Sequence, residues 1–175
     1  MIKLKSTFIY KFLKKIYQFF LTIYIFESDK KFKKVDKKRI SLFIVKSFNE
    51  IKLNKTIGKY FENSKFKLDR FKKGSKFIGL KQGKEIICSG WIYVGSEWRI
   101  EEVDKNIKLK NQYLLYDFIT EKKFRNMGYY KLLLTIIQNK FIKKKLVIYA
   151  LSHNSKSIRA IKKSGFKFMR ELKKY

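Results

Sequence analysis

The sequence predicts one mixed α/β layer domain, and three observations carry that expectation. The chain has 175 residues, enough for one core that withdraws about two-thirds of the unfolded surface from water, and too few for two full domains. Apolar residues make up 45% of it and aromatics 17%, which separates it from disordered chains even though 33% of the residues are charged. Short β-branched and aromatic runs alternate with segments of helical periodicity, and no Pro-, Gly- or Ser-rich stretch divides them.

The first element is the apolar segment from Thr7 to Phe26. Lys11, Lys14 and Lys15 interrupt it at helical spacing and leave Phe8, Phe12, Ile16, Phe19, Phe20 and Ile23 near one face. It reads as an amphipathic helix, because a spanning helix needs ~20 predominantly apolar residues without central charges. A signal peptide is also disfavoured, since Lys intrudes into the apolar run and no small-residue site follows Phe26. Such a helix either packs on the domain or rests on an anionic membrane, with the stretch Lys30 to Lys38 adding attraction. Residues 1–35 are therefore expected to be helix and basic linker, and residues 36–175 the domain.

Within the domain, Arg39 to Lys46 is a strand by composition. Leu53, Ile57, Tyr60 and Phe61 recur at helical intervals, so Asn54 to Lys73 holds one or two short helices stopped by Gly74. Lys76 to Leu80 and Glu85 to Val94 are strands joined by the hairpin signal Lys81-Gln-Gly-Lys84. Trp98 to Val103 and Gln112 to Thr120 follow as strands, with a turn at Asp104-Lys-Asn106. Tyr129 to Lys144 is the clearest helix, carrying Tyr130, Leu133, Leu134, Ile137 and Phe141 on one stripe. Leu146 to Leu151 is a buried strand, Ser155 to Ser164 a helix with Gly165 just past its end, and Phe166 to Leu172 a last strand.

Charge excludes less than it first suggests. The net charge is +30, from 44 basic against 14 acidic residues, a balance that ordinarily points to nucleic acid. The only Arg residues, however, are Arg39, Arg70, Arg99, Arg125, Arg159 and Arg170. Ala occurs only at Ala150 and Ala160, and Pro is absent. Lys, Ile, Phe, Tyr and Asn have A/T-rich codons and the depleted residues G/C-rich ones, so base composition accounts for the skew as a whole. A dedicated reader of phosphate and guanine would be enriched in Arg. No specific nucleic-acid partner is expected.

Cys88 is the only cysteine and His153 the only histidine. An intrachain disulfide and a Cys/His zinc site are thereby excluded, no metal site is expected, and a reducing cytoplasm is the natural setting. Cys88 lies in the apolar run Glu85 to Tyr93 and reads as a buried structural thiol.

Two motifs carry chemistry. Thr120-Glu-Lys-Lys-Phe-Arg-Asn-Met-Gly-Tyr-Tyr130 joins a strand to a helix N-terminus. Unpaired N–H groups and the positive end of the helix dipole can hold a polyphosphate there, and Gly128 allows close approach. Downstream, Asn154, Ser157, Ile161, Lys163, Gly165 and Phe166 follow a strand and lead into another. Together these stretches resemble the GNAT superfamily of acetyl-coenzyme A-dependent N-acetyltransferases. Arg125, Gly128 and Tyr130 occupy the three places of the family's pyrophosphate loop, Arg/Gln-x-x-Gly-x-Gly/Ala. Its C-terminal stretch, Asn-x-x-Ala/Ser-x-x-x-Tyr-x-Lys-x-Gly-Phe, is met in register except at Ile161.

The resemblance implies a mixed, mostly antiparallel sheet that splays between the Gln112–Thr120 and Leu146–Leu151 strands, with helices on both faces. It implies that the main chain of Phe118, Ile119 and Thr120 pairs with the pantetheine arm of acetyl-CoA. The N–H groups of Arg125, Asn126, Met127, Gly128, Tyr129 and Tyr130 would hold the pyrophosphate, and Asn154 and Ser157 would touch the pantetheine or acyl side. An amine would attack the thioester directly while a strand N–H stabilises the oxyanion. Two positions depart from the pattern. Tyr130 stands where the loop has a small residue, and Ile161 where many members have the Tyr that protonates the leaving thiolate.

A carboxylate near the splay is the expected base. Asp117 on the Gln112–Thr120 strand is the first candidate, and Glu101 and Glu102 are the others. Trp91, Tyr93 and Trp98 either line the acceptor pocket or belong to the core. The acceptor expected is a small amine or amino sugar. A protein or peptide amine, or a catalytically weak CoA-binding or membrane-associated module, are the alternatives, and the chain would act as a monomer or homodimer.

Overall fold

The strand-like runs of the sequence assemble into one seven-stranded sheet. The computed structural model describes residues 21–29, 40–53, 57–58, 61 and 65–175. In chain order the elements are β1 (Thr22–Ser28), β2 (Ser41–Val45), α1 (Phe48–Leu53), α2 (Lys65–Lys72), β3 (Ser75–Gln82) and β4 (Glu85–Tyr93). They continue with β5 (Glu97–Ile100), β6 (Lys105–Lys108), β7 (Gln112–Thr120), a 3-10 turn (Lys122–Phe124), α3 (Tyr129–Lys140), β8 (Lys145–Leu151), α4 (Ser155–Lys163) and β9 (Phe166–Lys173). The sheet order is β2-β3-β4-β7-β8-β1-β9, and β5 and β6 form a separate ribbon. Every pair in the sheet is antiparallel except β7 with β8.

Helices cover both faces. On one, Leu133, Leu134 and Ile137 of α3, spaced by one helical turn, pack with Ile161 of α4 on Ile78, Leu80, Ile87, Ile92, Leu115 and Ile148. On the other, Ile51 of α1 and Phe71 of α2, with Ile57 and Phe61, pack on Phe43, Phe77 and Trp91. Trp91 is therefore core, its ring within 5.1 Å of both Phe71 and Phe77. The rest of that face is closed by the ribbon, whose Ile100, Val103, Ile107 and Leu109 meet Ile23, Ile25, Leu114 and Val147. α3 follows the expected stripe but stops at Lys140, with Phe141 outside helical geometry as its C-cap.

Two expectations are corrected. The helix anticipated over residues 7 to 26 does not extend through its last part, because Thr22–Ser28 is a strand between β8 and β9. Ile23 and Ile25 enter the core under the ribbon while Tyr24 and Phe26 pack towards α4. That period-two alternation, buried on both sides, is continuous apolar sequence and mimics a helix face. Residues 7 to 20 and the basic stretch Lys30 to Lys38 lie outside the described residues. The second correction concerns Trp98 to Val103. The strand ends at Ile100, and Glu101 to Asp104 form the turn of the β5–β6 hairpin, with Asp104 at φ 53°. The turn expected at Asp104-Lys-Asn106 is displaced accordingly, and Lys105 and Asn106 begin β6.

Candidate active site

The site begins where β7 leaves β8. The two strands pair from Gln112↔Lys145 to Leu115↔Ile148 and no further. The cause lies on the opposite edge of β7. Its pairing with β4 steps from Trp91↔Tyr116 to Ser89↔Ile119, so Asp117 and Phe118 together face Gly90. This is a β-bulge, with Asp117 in left-handed geometry at φ 50°, and a bulge bends its strand and re-aims the side chain. Gly90 makes it possible, since a Cβ there would stand 2.5 Å from the Phe118 ring. Beyond Leu115, no strand among the described residues pairs with the β8-facing edge of β7.

At the far end of β7 the chain turns into α3. Asn126 at φ 64° and Gly128 at φ 80° make Arg125-Asn126-Met127-Gly128 a curled loop. Gly128 is the N-cap of α3, offers no side chain to the helix, and leaves open space where a Cβ would be. The first turn of α3 holds no acidic residue. Its leading N–H groups thus point out of the helix uncapped, in a positive field that suits an anion. Arg125 Nε donates to the Thr120 carbonyl at 3.0 Å and braces the loop against β7.

Two hollows meet at the bulge. A crevice of about 180 Å³ on the α3–α4 side is lined by Phe118, Tyr130, Ile148, Asn154 and Ser157, among others. A cavity of about 410 Å³ on the opposite side is lined by Arg70, Lys73, Ser75, Trp98 and Glu101, among others. Glu102, Tyr116, Asp117 and Tyr149 line both. The candidate carboxylates are thus at the junction, although not alike. Asp117 is 54% exposed and bonded to Arg70 at 2.5 Å. Arg70 is itself held 5.2 Å from the ring centres of both Trp91 and Tyr116. Glu102 reaches both hollows from the hairpin turn, whereas Glu101 lines only the larger.

Tyrosines surround these carboxylates. Burial pushes the Tyr149 hydroxyl pKa well above the usual tyrosine value, and the Glu102 carboxylate raises it further. The Trp98 indole N–H, buried with no completed hydrogen bond among the described residues, faces that hydroxyl and opposes the rise. Burial likewise raises the Tyr116 hydroxyl, whose 2.8 Å hydrogen bond with Ser75 acts the other way. All three rings stay neutral hydrogen-bonding groups near pH 7. Trp98 lines the larger cavity, and Tyr93 packs against it at 4.9 Å.

The remaining sequence candidates sort by position. Asn154 accepts from the Ser157 N–H at 3.1 Å and caps α4, and both residues face the crevice. Thr120 Oγ1 donates to Cys88 Sγ, so its side chain turns into the sheet. Ile119 and Met127 are exposed, and Tyr129 packs on Phe124. Ile161 is fully buried and lines neither of the two hollows. Arg70, Ser75, Tyr116 and Tyr149 are among the lining residues that sequence reasoning missed. The register of β3, β7 and β8 and the packing of α2 against them bring these residues together.

Solved structures share this arrangement of strands and helices. A GNAT-family acetyltransferase of Novosphingobium aromaticivorans matches 86% of this chain and 61% of its own, with a TM-score of 0.57 at 11% identity. One from Colwellia psychrerythraea matches 86% and 53%, with a TM-score of 0.53 at 12% identity. A conserved protein of unknown function from Staphylococcus epidermidis matches 91% and 63%, with a TM-score of 0.52 at 12% identity. The fold is that of the GNAT acetyltransferases. Identities this low establish the fold alone, and the chain spans only about half to just under two-thirds of these relatives. No protein-family model matches the sequence, and no curated protein is similar to it.

Within a GNAT fold, the arrangement has a defined chemical capacity. The Arg125–Tyr130 main chain fits a pyrophosphate, because it presents uncapped N–H groups, no carboxylate and an open glycine. The free edge of β7 fits an extended amide-bearing arm, which can pair with it as another strand would. An acyl group carried along that edge would arrive at the bulge, where both hollows meet. An amine in the larger cavity would face it there, beside two carboxylates able to take up a proton.

Proposed function

We propose that the chain is an acetyl-CoA-dependent N-acetyltransferase of a small primary amine. The observation that carries this reading is the junction at Asp117, where a crevice reaching Tyr130 at the start of α3 shares Glu102, Tyr116, Asp117 and Tyr149 with a separate, carboxylate-lined cavity. Acetyl-CoA would place its pyrophosphate on the loop and its arm along Phe118, Ile119 and Thr120. The amine would attack the thioester carbonyl from the acceptor cavity, with an N–H of the bulged strand at the oxyanion. Glu102 acts as the base, because it lines both hollows and has no ion pair among the described residues. Asp117 orients Arg70 through its ion pair. Trp98, Tyr116 and Tyr149 offer ring faces and hydroxyls to a compact acceptor, which suits an amino sugar or another small amine.

The test is release of free CoA thiol from acetyl-CoA across a panel of amino sugars, polyamines and amino acids. At least one amine should support turnover, and Glu102→Gln should lower its kcat by about a hundredfold with little change in the melting temperature. No turnover with any amine, or a Glu102→Gln enzyme as fast as the parent, would contradict the assignment.

A further inference from the structure

Tyr130 is the one residue on the proposed route whose side chain does not fit it as placed. It is the second residue of α3, directly after the anion seat. Its ring lies 5.6 Å from that of Phe118, and its hydroxyl reaches Ser157 Oγ of α4 at 3.4 Å. The side chain therefore spans from α3 to α4 across the crevice it lines. An arm running from the loop to the bulge along the free edge of β7 must pass Phe118, and so must pass this bridge. The crevice, at about 180 Å³, is less than half the volume of the acceptor cavity. Gly128, two residues before, leaves open space, so the obstruction belongs to the Tyr130 side chain.

We infer that Tyr130 determines how strongly the site accepts the pantetheine arm: its bridge to Ser157 closes the crevice and opens to admit the thioester. This rests on the reading of the site as an acetyl-CoA site and specifies which residue controls entry. The bridge is weak enough to open. Across the crevice it rests on one long hydroxyl contact and one ring contact, which together oppose binding by about tenfold, while the base of the ring stays packed on the core. Opening costs no helix or strand, because neither backbone element depends on the Tyr130 side chain for its hydrogen bonds.

The test compares two ligands that share the pyrophosphate. Coenzyme A carries the arm, while 3′-phosphoadenosine 5′-diphosphate lacks it. Calorimetric titrations of the full chain should show Tyr130→Ala binding coenzyme A about tenfold more tightly and the nucleotide unchanged. Tyr130→Phe, which keeps the ring and loses the Ser157 contact, should give a smaller gain in the same direction and guards against a folding defect in the alanine variant. Equal shifts for both ligands, or weaker coenzyme A binding in both variants, would overturn the role of Tyr130 while leaving the cofactor assignment intact. Failure of parent and variants to bind either ligand would remove the acetyl-CoA reading itself, and the inference with it.

Discussion

Gly90 shows how one residue decides the geometry of the whole site. A side chain there would collide with the Phe118 ring at 2.5 Å, and Phe118 is half of the bulge that turns β7 away from β8. Gly90→Ala should therefore lower stability by about 1–3 kcal/mol, read from the urea midpoint, and weaken acetyl-CoA binding at the same time. Cys88 makes a second statement at this scale. Burial, against a hydrogen bond from Thr120 and with the Glu121 carboxylate nearby, pushes its thiol from 9.0 up to about 12. The folded state thus holds a proton that the unfolded state releases earlier. The resulting stabilisation is complete below about pH 9 and is lost as pH rises towards 12. At about pH 8 the thiol should resist iodoacetamide in the native chain and react once urea unfolds it. Rapid native labelling would show that the site opens.

β1 is the element that most changes the picture drawn from sequence. It fills the slot between β8 and β9, and its Glu27 accepts hydrogen bonds from Gln112 at 2.6 Å and Lys145 at 2.9 Å. It thus fastens the start of β7 to the start of β8, the paired end from which the splay departs. Phe26, fully buried beneath α4, is its main anchor. Phe26→Ala should cost about 3–5 kcal/mol in urea unfolding, and a loss below about 1 kcal/mol would mean that the strand is dispensable. Sequence pattern missed β1 for a physical reason. A strand buried on both faces has no polar alternation, and Lys11, Lys14 and Lys15 upstream impose a helical rhythm on the same apolar run. Glu101 and Glu102 were placed in a strand for a related reason. Ile100 and Val103 are both buried, but a hairpin turn lies between them, and Asp104 takes the positive φ that turn requires. Elements with a one-sided stripe or a turn signal, such as α3, α4 and the β3–β4 hairpin, were legible from their residues.

At the scale of the molecule, the order of elements and the two motif-bearing stretches were readable, while the acceptor cavity was not. Its walls come from α2, β3, the β5–β6 turn, β7 and β8, and no local pattern links Arg70 to Tyr116 or Tyr149. The charge of +30 takes on a more restricted meaning in this context. Arg125 and Arg70 have assigned places, one bracing the loop and the other held between Trp91 and Tyr116. The many exposed Lys residues would form a positive field that, on the proposed function, draws the polyanionic acetyl-CoA towards the loop without selecting it. The central claim is that acetyl-CoA lies between the α3 N-terminus and the bulge of β7. Amide hydrogen exchange with and without acetyl-CoA tests it most directly. Protection should rise at residues 118–120 and 125–131 and stay unchanged along β2, β3 and the β5–β6 ribbon. Absence of protection at both segments, or protection confined to another surface, would contradict the account.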